Sequence, residues 1–168
     1  MKKLIAGSAL ALFSTGLYAQ QNMVKAGFYL GNSGLQYERA LGERISLVGQ
    51  IGYSSIPTRV GSNDSKSTGI GYYAEARYYL SKRDGLMRGF HLGPYYTFLN
   101  VDDKNEGDLN TNLSSIGAVG GYQHIFGNGI VLGASLGLGT LRVESDVKLD
   151  IGGIDFFPNL GITIGYQF

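Results

Sequence analysis

The chain has 168 residues, with 14 basic and 13 acidic side chains, no cysteine or tryptophan, 27 glycines, 12 tyrosines and 8 phenylalanines. The absence of cysteine excludes disulfides and thiolate chemistry, and the near-neutral charge leaves no electrostatic footprint for nucleic acid. Plentiful glycine beside aromatic and β-branched residues, without leucine-rich helical stripes, argues for a β-rich fold and against disorder.

The first twenty residues read MKKLIAGSALALFSTGLYAQ. Lys2 and Lys3 form a basic start, and residues 4–13 are apolar but too short to span a bilayer as a helix. Small and aromatic residues then lead to Ala19. This predicts a secretory signal peptide over 1–19 and one mature domain over 20–168, although Leu17 is larger than the usual residue at its place before the cut. Without Lys2 and Lys3 the mature domain holds 12 basic and 13 acidic residues, a formal charge of −1. No later stretch of about 20 apolar residues offers a transmembrane helix.

Eight strands follow, each recognised by a period of two. In 23–30, Val24, Ala26, Phe28 and Leu30 oppose Lys25, Gly27 and Tyr29, and a turn is expected over 31–34. In 35–41, Leu35, Tyr37 and Leu41 oppose Gln36, Glu38 and Ala40; Arg39 falls on the apolar side, where a long stem lets it snorkel to headgroups. Gly42 and Glu43 make a second turn. In 44–55, Ile45, Leu47, Ile51 and Tyr53 oppose Ser46, Gln50 and Ser54, with Val48 an apolar exception on the polar side. A polar loop is expected over 57–67. In 68–80, Ile70, Tyr72, Ala74, Ala76, Tyr78 and Leu80 oppose Gly71, Tyr73, Glu75, Arg77 and Tyr79.

A charged turn over 81–88 precedes the strand 89–101, where Phe90, Leu92, Pro94, Tyr96 and Phe98 oppose His91, Gly93, Tyr95 and Thr97. An acidic loop over 102–110 leads to 111–126, with Ile116, Ala118, Tyr122 and Phe126 opposite Ser115, Gly117, Gly121 and Gln123. Gly127-Asn128-Gly129 is a hairpin signal. In 130–143, Ile130, Leu132, Ala134, Leu136 and Leu138 oppose glycines and Ser135, and a polar loop runs to 153. The last strand, 154–168, carries Phe156, Leu160, Ile162, Ile164, Tyr166 and Phe168 on one parity.

Every strand thus has a greasy face, and nothing remains to cover those faces. The fold expected is all-β: an eight-stranded antiparallel up-and-down transmembrane β-barrel with lipid outside and a polar filling inside. Connections alternate between short and long, as they do between the periplasmic and outer ends of outer-membrane barrels. Outward tyrosines and phenylalanines supply aromatic girdles. Eight strands leave an interior just wide enough for side chains to fill.

The signal peptide, the repeat of period two, the alternating connections and the ending Gly-Ile-Thr-Ile-Gly-Tyr-Gln-Phe together resemble the small outer-membrane barrels, such as the OmpX type and the OmpA transmembrane domain. Residues 71–80, 89–95 and 120–127 look like strands of the outer-membrane β-barrel domain family. The resemblance implies residence in the outer membrane of a Gram-negative bacterium, contact with its lipids, and delivery by the barrel-assembly machinery. It also implies that the terminal Phe168 is part of the signal which that machinery reads. It implies little about activity, since one fold hosts many functions.

Lys25, Glu38, Glu75 and Arg77 all fall on the inward parity. A proton or ion relay would use such groups, but a small barrel needs a filling of paired charges in any case, and that structural network is the reading adopted. His91 is inward and could meet Ser115 or Glu75; His124 is outward, so the two histidines cannot share a site. The acidic run 101–108 lacks calcium-loop spacing, and no helix follows Gly127-Asn128-Gly129, so no metal, nucleotide or other cofactor is expected. The function expected is a non-enzymatic barrel with a structural role or a binding role carried by its outer loops. Alternatives are a lipid-modifying enzyme or a small-solute channel. A lipocalin-like soluble barrel would need the reverse polarity.

Overall fold

The structure, a computed structural model, describes residues 22–60, 63–81, 85–103, 109–145 and 156–168. The leader, most of the acidic run 101–108 and the loop expected before residue 153 therefore lie outside the described residues. Eight strands are present: β1 (Asn22–Tyr29), β2 (Asn32–Ala40), β3 (Ile45–Val60), β4 (Asn63–Tyr79), β5 (Gly89–Asp103), β6 (Leu109–Ile125), β7 (Ile130–Ser145) and β8 (Phe156–Gln167). Each pairs antiparallel with its neighbours in sequence, and β8 pairs with β1, so the sheet is a closed all-β barrel. Following the paired register once around from Asn22 returns to the line of β1 about ten residues further on, the kind of stagger that tilted strands in a closed barrel require.

The alternation expected from sequence fixes which side chains enter the barrel. Odd-numbered residues of β1 and β4 through β8 and even-numbered residues of β2 and β3 point inward and are mostly buried. Outward apolar residues stand open: Ile162 is 65% exposed, Ile116 and Leu136 62% each. The sheet is inside out relative to a soluble barrel, with polar groups enclosed and aliphatic groups on the surface.

Two connections differ clearly from expectation. The first turn is only Leu30-Gly31, and Asn32 already pairs with Tyr29. Gly31 takes a φ of 78°, open to glycine without strain, so two residues suffice to reverse the chain. The polar segment 57–67 is largely ladder: β3 and β4 stay paired out to Val60 and Asn63. Polar residues do not prevent pairing when both strands are long and antiparallel, so the run of polar residues marks ladder here and not a loop. The charged turn expected after β4 also carries an apolar contact, since Met87 turns back into the barrel and is 2% exposed.

One seam is imperfect. Along β4 and β5 the ladder runs from Thr68 to Glu75 and resumes at Tyr78, skipping Ala76 and Arg77 opposite Gly93 and Pro94. Pro94 has no N–H to give to the ladder.

Candidate functional site: a filled lumen

The interior is layered along the barrel axis. At the end that holds both termini, Met23, Ala40, Tyr79, Met87, Ile125 and Val131 form an apolar plug. Next comes a charged layer, then an aromatic layer of Tyr29, Tyr73 and Tyr95 packed with Val48 and Val119. Toward the far end, Asn32, Ser54 and Asn159 are buried beside Leu99 and Val101.

Strand pairing brings the four predicted groups together from β1, β2 and β4. Lys25, Glu38, Glu75 and Arg77 are each at least 97% buried. Lys25 Nζ donates to Glu38 Oε2. Arg77 Nη1 donates to the same oxygen at 3.0 Å, and Arg77 Nη2 to Glu75 Oε2 at 2.8 Å. Glu38 Oε1 accepts from Ser46 Oγ at 2.6 Å and from Tyr79 Oη at 2.7 Å. The Glu38 carboxylate therefore has both oxygens doubly bonded, close to its full accepting capacity. Two cations face two anions, which is the condition under which burying charge is tolerable.

Sequence reasoning missed the hub of this layer. Gln123 Oε1 accepts from Lys25 Nζ at 2.9 Å and from Arg77 Nη1 at 3.1 Å, separating the two cations. Its Nε2 donates to Tyr79 Oη at 3.0 Å and to the Met87 carbonyl at 2.7 Å. An amide can do this because it carries both an acceptor and two donors. The only signal in the sequence was an uncharged inward position on β6, which does not distinguish Gln123 from lumen filler.

His91 points inward, as expected, and is buried. Its Nε2 lies 3.7 Å from Glu75 Oε1, too far for a direct hydrogen bond. Ser115, the other partner considered, instead meets Tyr95 Oη at 3.3 Å. His124 packs edge-on against Phe126 on the other parity and does not join His91. Among the described residues no group of three or more His, Cys, Asp or Glu is placed to share a metal ion.

The apolar exception Val48 belongs to the aromatic layer. Tyr29 stacks on Tyr73 at a centroid distance of 4.5 Å, and Tyr73 on Tyr95 at 5.9 Å. The rings fit because inward neighbours lack side chains: a Cβ on Gly161 would run into the Tyr29 ring. Tyr29 Oη accepts from Gln36 Nε2 at 3.0 Å and Tyr73 Oη donates to Glu75 Oε2 at 3.0 Å, so the phenols are tied to the polar layer below.

The outer surface has its own edge chemistry near the termini. Tyr37 Oη donates to Asn22 Oδ1 at 2.6 Å, and Arg44 Nη1 donates to Tyr78 Oη at 2.9 Å. Phe168, 55% exposed, exchanges backbone hydrogen bonds with Asn22 at the point where the barrel closes.

A closed antiparallel barrel with an apolar exterior and a polar filling belongs to the class of small membrane-type β-barrels. The chain is a member of the family described as Protein of unknown function (DUF3575), which matches residues 6–149. No curated protein matches the chain. Among solved structures it resembles Acinetobacter baumannii CarO2, at 9% identity and a TM-score of 0.50, over 92% of this chain and 100% of that one. Acinetobacter baumannii CarO aligns over the same shares at 11% identity and a TM-score of 0.48. At such identities the likeness to CarO2 is one of fold.

Proposed function

We propose that the protein spans the bacterial outer membrane as a filled, non-enzymatic barrel, with a structural role or a binding role at its outer loops. The observation that carries this reading is the inverted polarity of the closed barrel. From Ile70 to Leu80 the outward face of β4 is apolar or small. Ten residues rise about 33 Å along a strand; at a tilt of about 40° this is about 25 Å along the axis, the height of the apolar band of outer-membrane barrels. A surface of this kind in water would be an aggregation hazard. Residues 1–19 would serve as the export signal, with the termini and the short connections toward the periplasm.

In this reading Lys25, Glu38, Glu75 and Arg77 are structural, holding β1, β2 and β4 to one another across the lumen. No cofactor is assigned. Phe168 is proposed as the part of the last strand that the barrel-assembly machinery reads, in keeping with its place at the closing pair. The test is cell fractionation combined with gel migration before and after boiling. The full chain should enter the outer-membrane fraction and shift on boiling, and deleting Phe168 should lower the folded amount. Recovery in the soluble periplasmic fraction without a shift would overturn the reading, and unchanged folded yield would overturn the role of Phe168.

A further inference from the structure

Among the described residues, the end that carries Asn22 and Phe168 holds Arg39, Arg44 and Arg88 against Glu43, a net +2 by residue type. The four lumen charges cancel.

Two of these basic groups lie at the lower boundary of the apolar belt. Arg44 ends an inward-parity run yet lies over the outward Tyr78, with its guanidinium carbon 5.9 Å from the ring centroid and its Nη1 bonded to the phenol. Its Nε is buried without a hydrogen-bond partner. Arg39 is on the apolar face of the adjacent strand, in register with Leu47, which pairs in turn with Ala76. Above them the belt is shallow: Gly49 pairs with Ala74, and a Cβ at Gly49 would meet nothing within 4 Å.

We propose that this edge of β2, β3 and β4 binds an anionic phospholipid of the periplasmic leaflet, with its phosphate on Arg39 and Arg44 and an acyl chain along Gly49, Ala74 and Ala76. The inference rests on the membrane reading above. A guanidinium fork matches phosphate geometry. Tyrosine beside it sits naturally at headgroup depth. The depression over the small residues gives the chain a place that bulky neighbours would deny it. The basic groups at this end favour an anionic headgroup in the leaflet it meets.

The experiment places the folded full-length mature chain in nanodiscs of phosphatidylcholine, titrates in phosphatidylglycerol, and counts retained lipid by native mass spectrometry. Wild type should retain phosphatidylglycerol in preference, less so at high salt. Replacing Arg39→Gln and Arg44→Gln should weaken that preference about fivefold per arginine, while Arg142→Gln, toward the opposite end of the barrel, should leave it intact. The gel shift on boiling verifies that each variant is folded. Insertion with no preference, or equal loss in the Arg142→Gln variant, overturns the proposal and leaves the membrane reading standing. Failure to enter either bilayer overturns both.

Discussion

At the residue scale, Arg77 is the side chain that joins the two carboxylates of the charged layer. It ties Glu38 to Glu75 and shares Gln123 with Lys25. Arg77→Ala leaves two buried carboxylates short of a cation, and losses of this kind run to about 3–5 kcal/mol. Arg142→Ala, at an exposed outward position, should cost little. Urea unfolding of the two folded variants in detergent checks this; equal midpoints would mean that Arg77 contributes nothing across the lumen. Which residues face inward was legible because parity alone decides it in a strand. What each one touches was not, because partners 39 or 46 residues apart in sequence meet only through the register of strands between them. Gln123 is the clearest case, a neutral side chain whose importance comes wholly from the two cations beside it.

At the scale of elements, the strands were more legible than their connections. Greasy and polar parities mark β4 and β8 plainly, but turn length depends on single backbone angles, as at Gly31. The connection between β4 and β5 shows the cost of reading a segment by its average. In sequence it is marked by its charges, yet Met87 fills the plug with a φ of 57°, an uncommon backbone state for a residue with a side chain. Its carbonyl is held by Gln123, so the turn is anchored to the charged layer. Met87→Asp would bury an unpaired carboxylate among Met23, Ile125 and Val131. It should lower the thermal midpoint of the gel-shift transition well below that of Met87→Leu, which keeps the volume and polarity. Similar midpoints for the two would show that Met87 does not pack in the plug.

At the scale of the whole molecule, three successive layers stand across the lumen. The plug, the paired charges and the stacked tyrosines are each buried, which leaves little room for a continuous water path. Planar-bilayer recordings of the folded protein should therefore show no stable steps of porin size. Reproducible large openings would mean that these layers move aside together.

The interrupted ladder between β4 and β5 has a consequence for how the barrel breathes. Where Pro94 faces the skipped pair, the backbone stitching is at its thinnest, and Arg77, beside the gap, donates past β5 to Gln123 on β6. Side chains thus brace from within a seam that main-chain bonds leave loose. Deuterium uptake should be faster at the amides of Leu92 and Tyr95 than at those of Leu132 and Ala134, where β7 is paired continuously on both sides. Arg77→Ala should speed uptake at Leu92 and Tyr95 more than at Leu132 and Ala134. Equal uptake at all four amides would show that the ring opens as one unit and has no preferred line of parting.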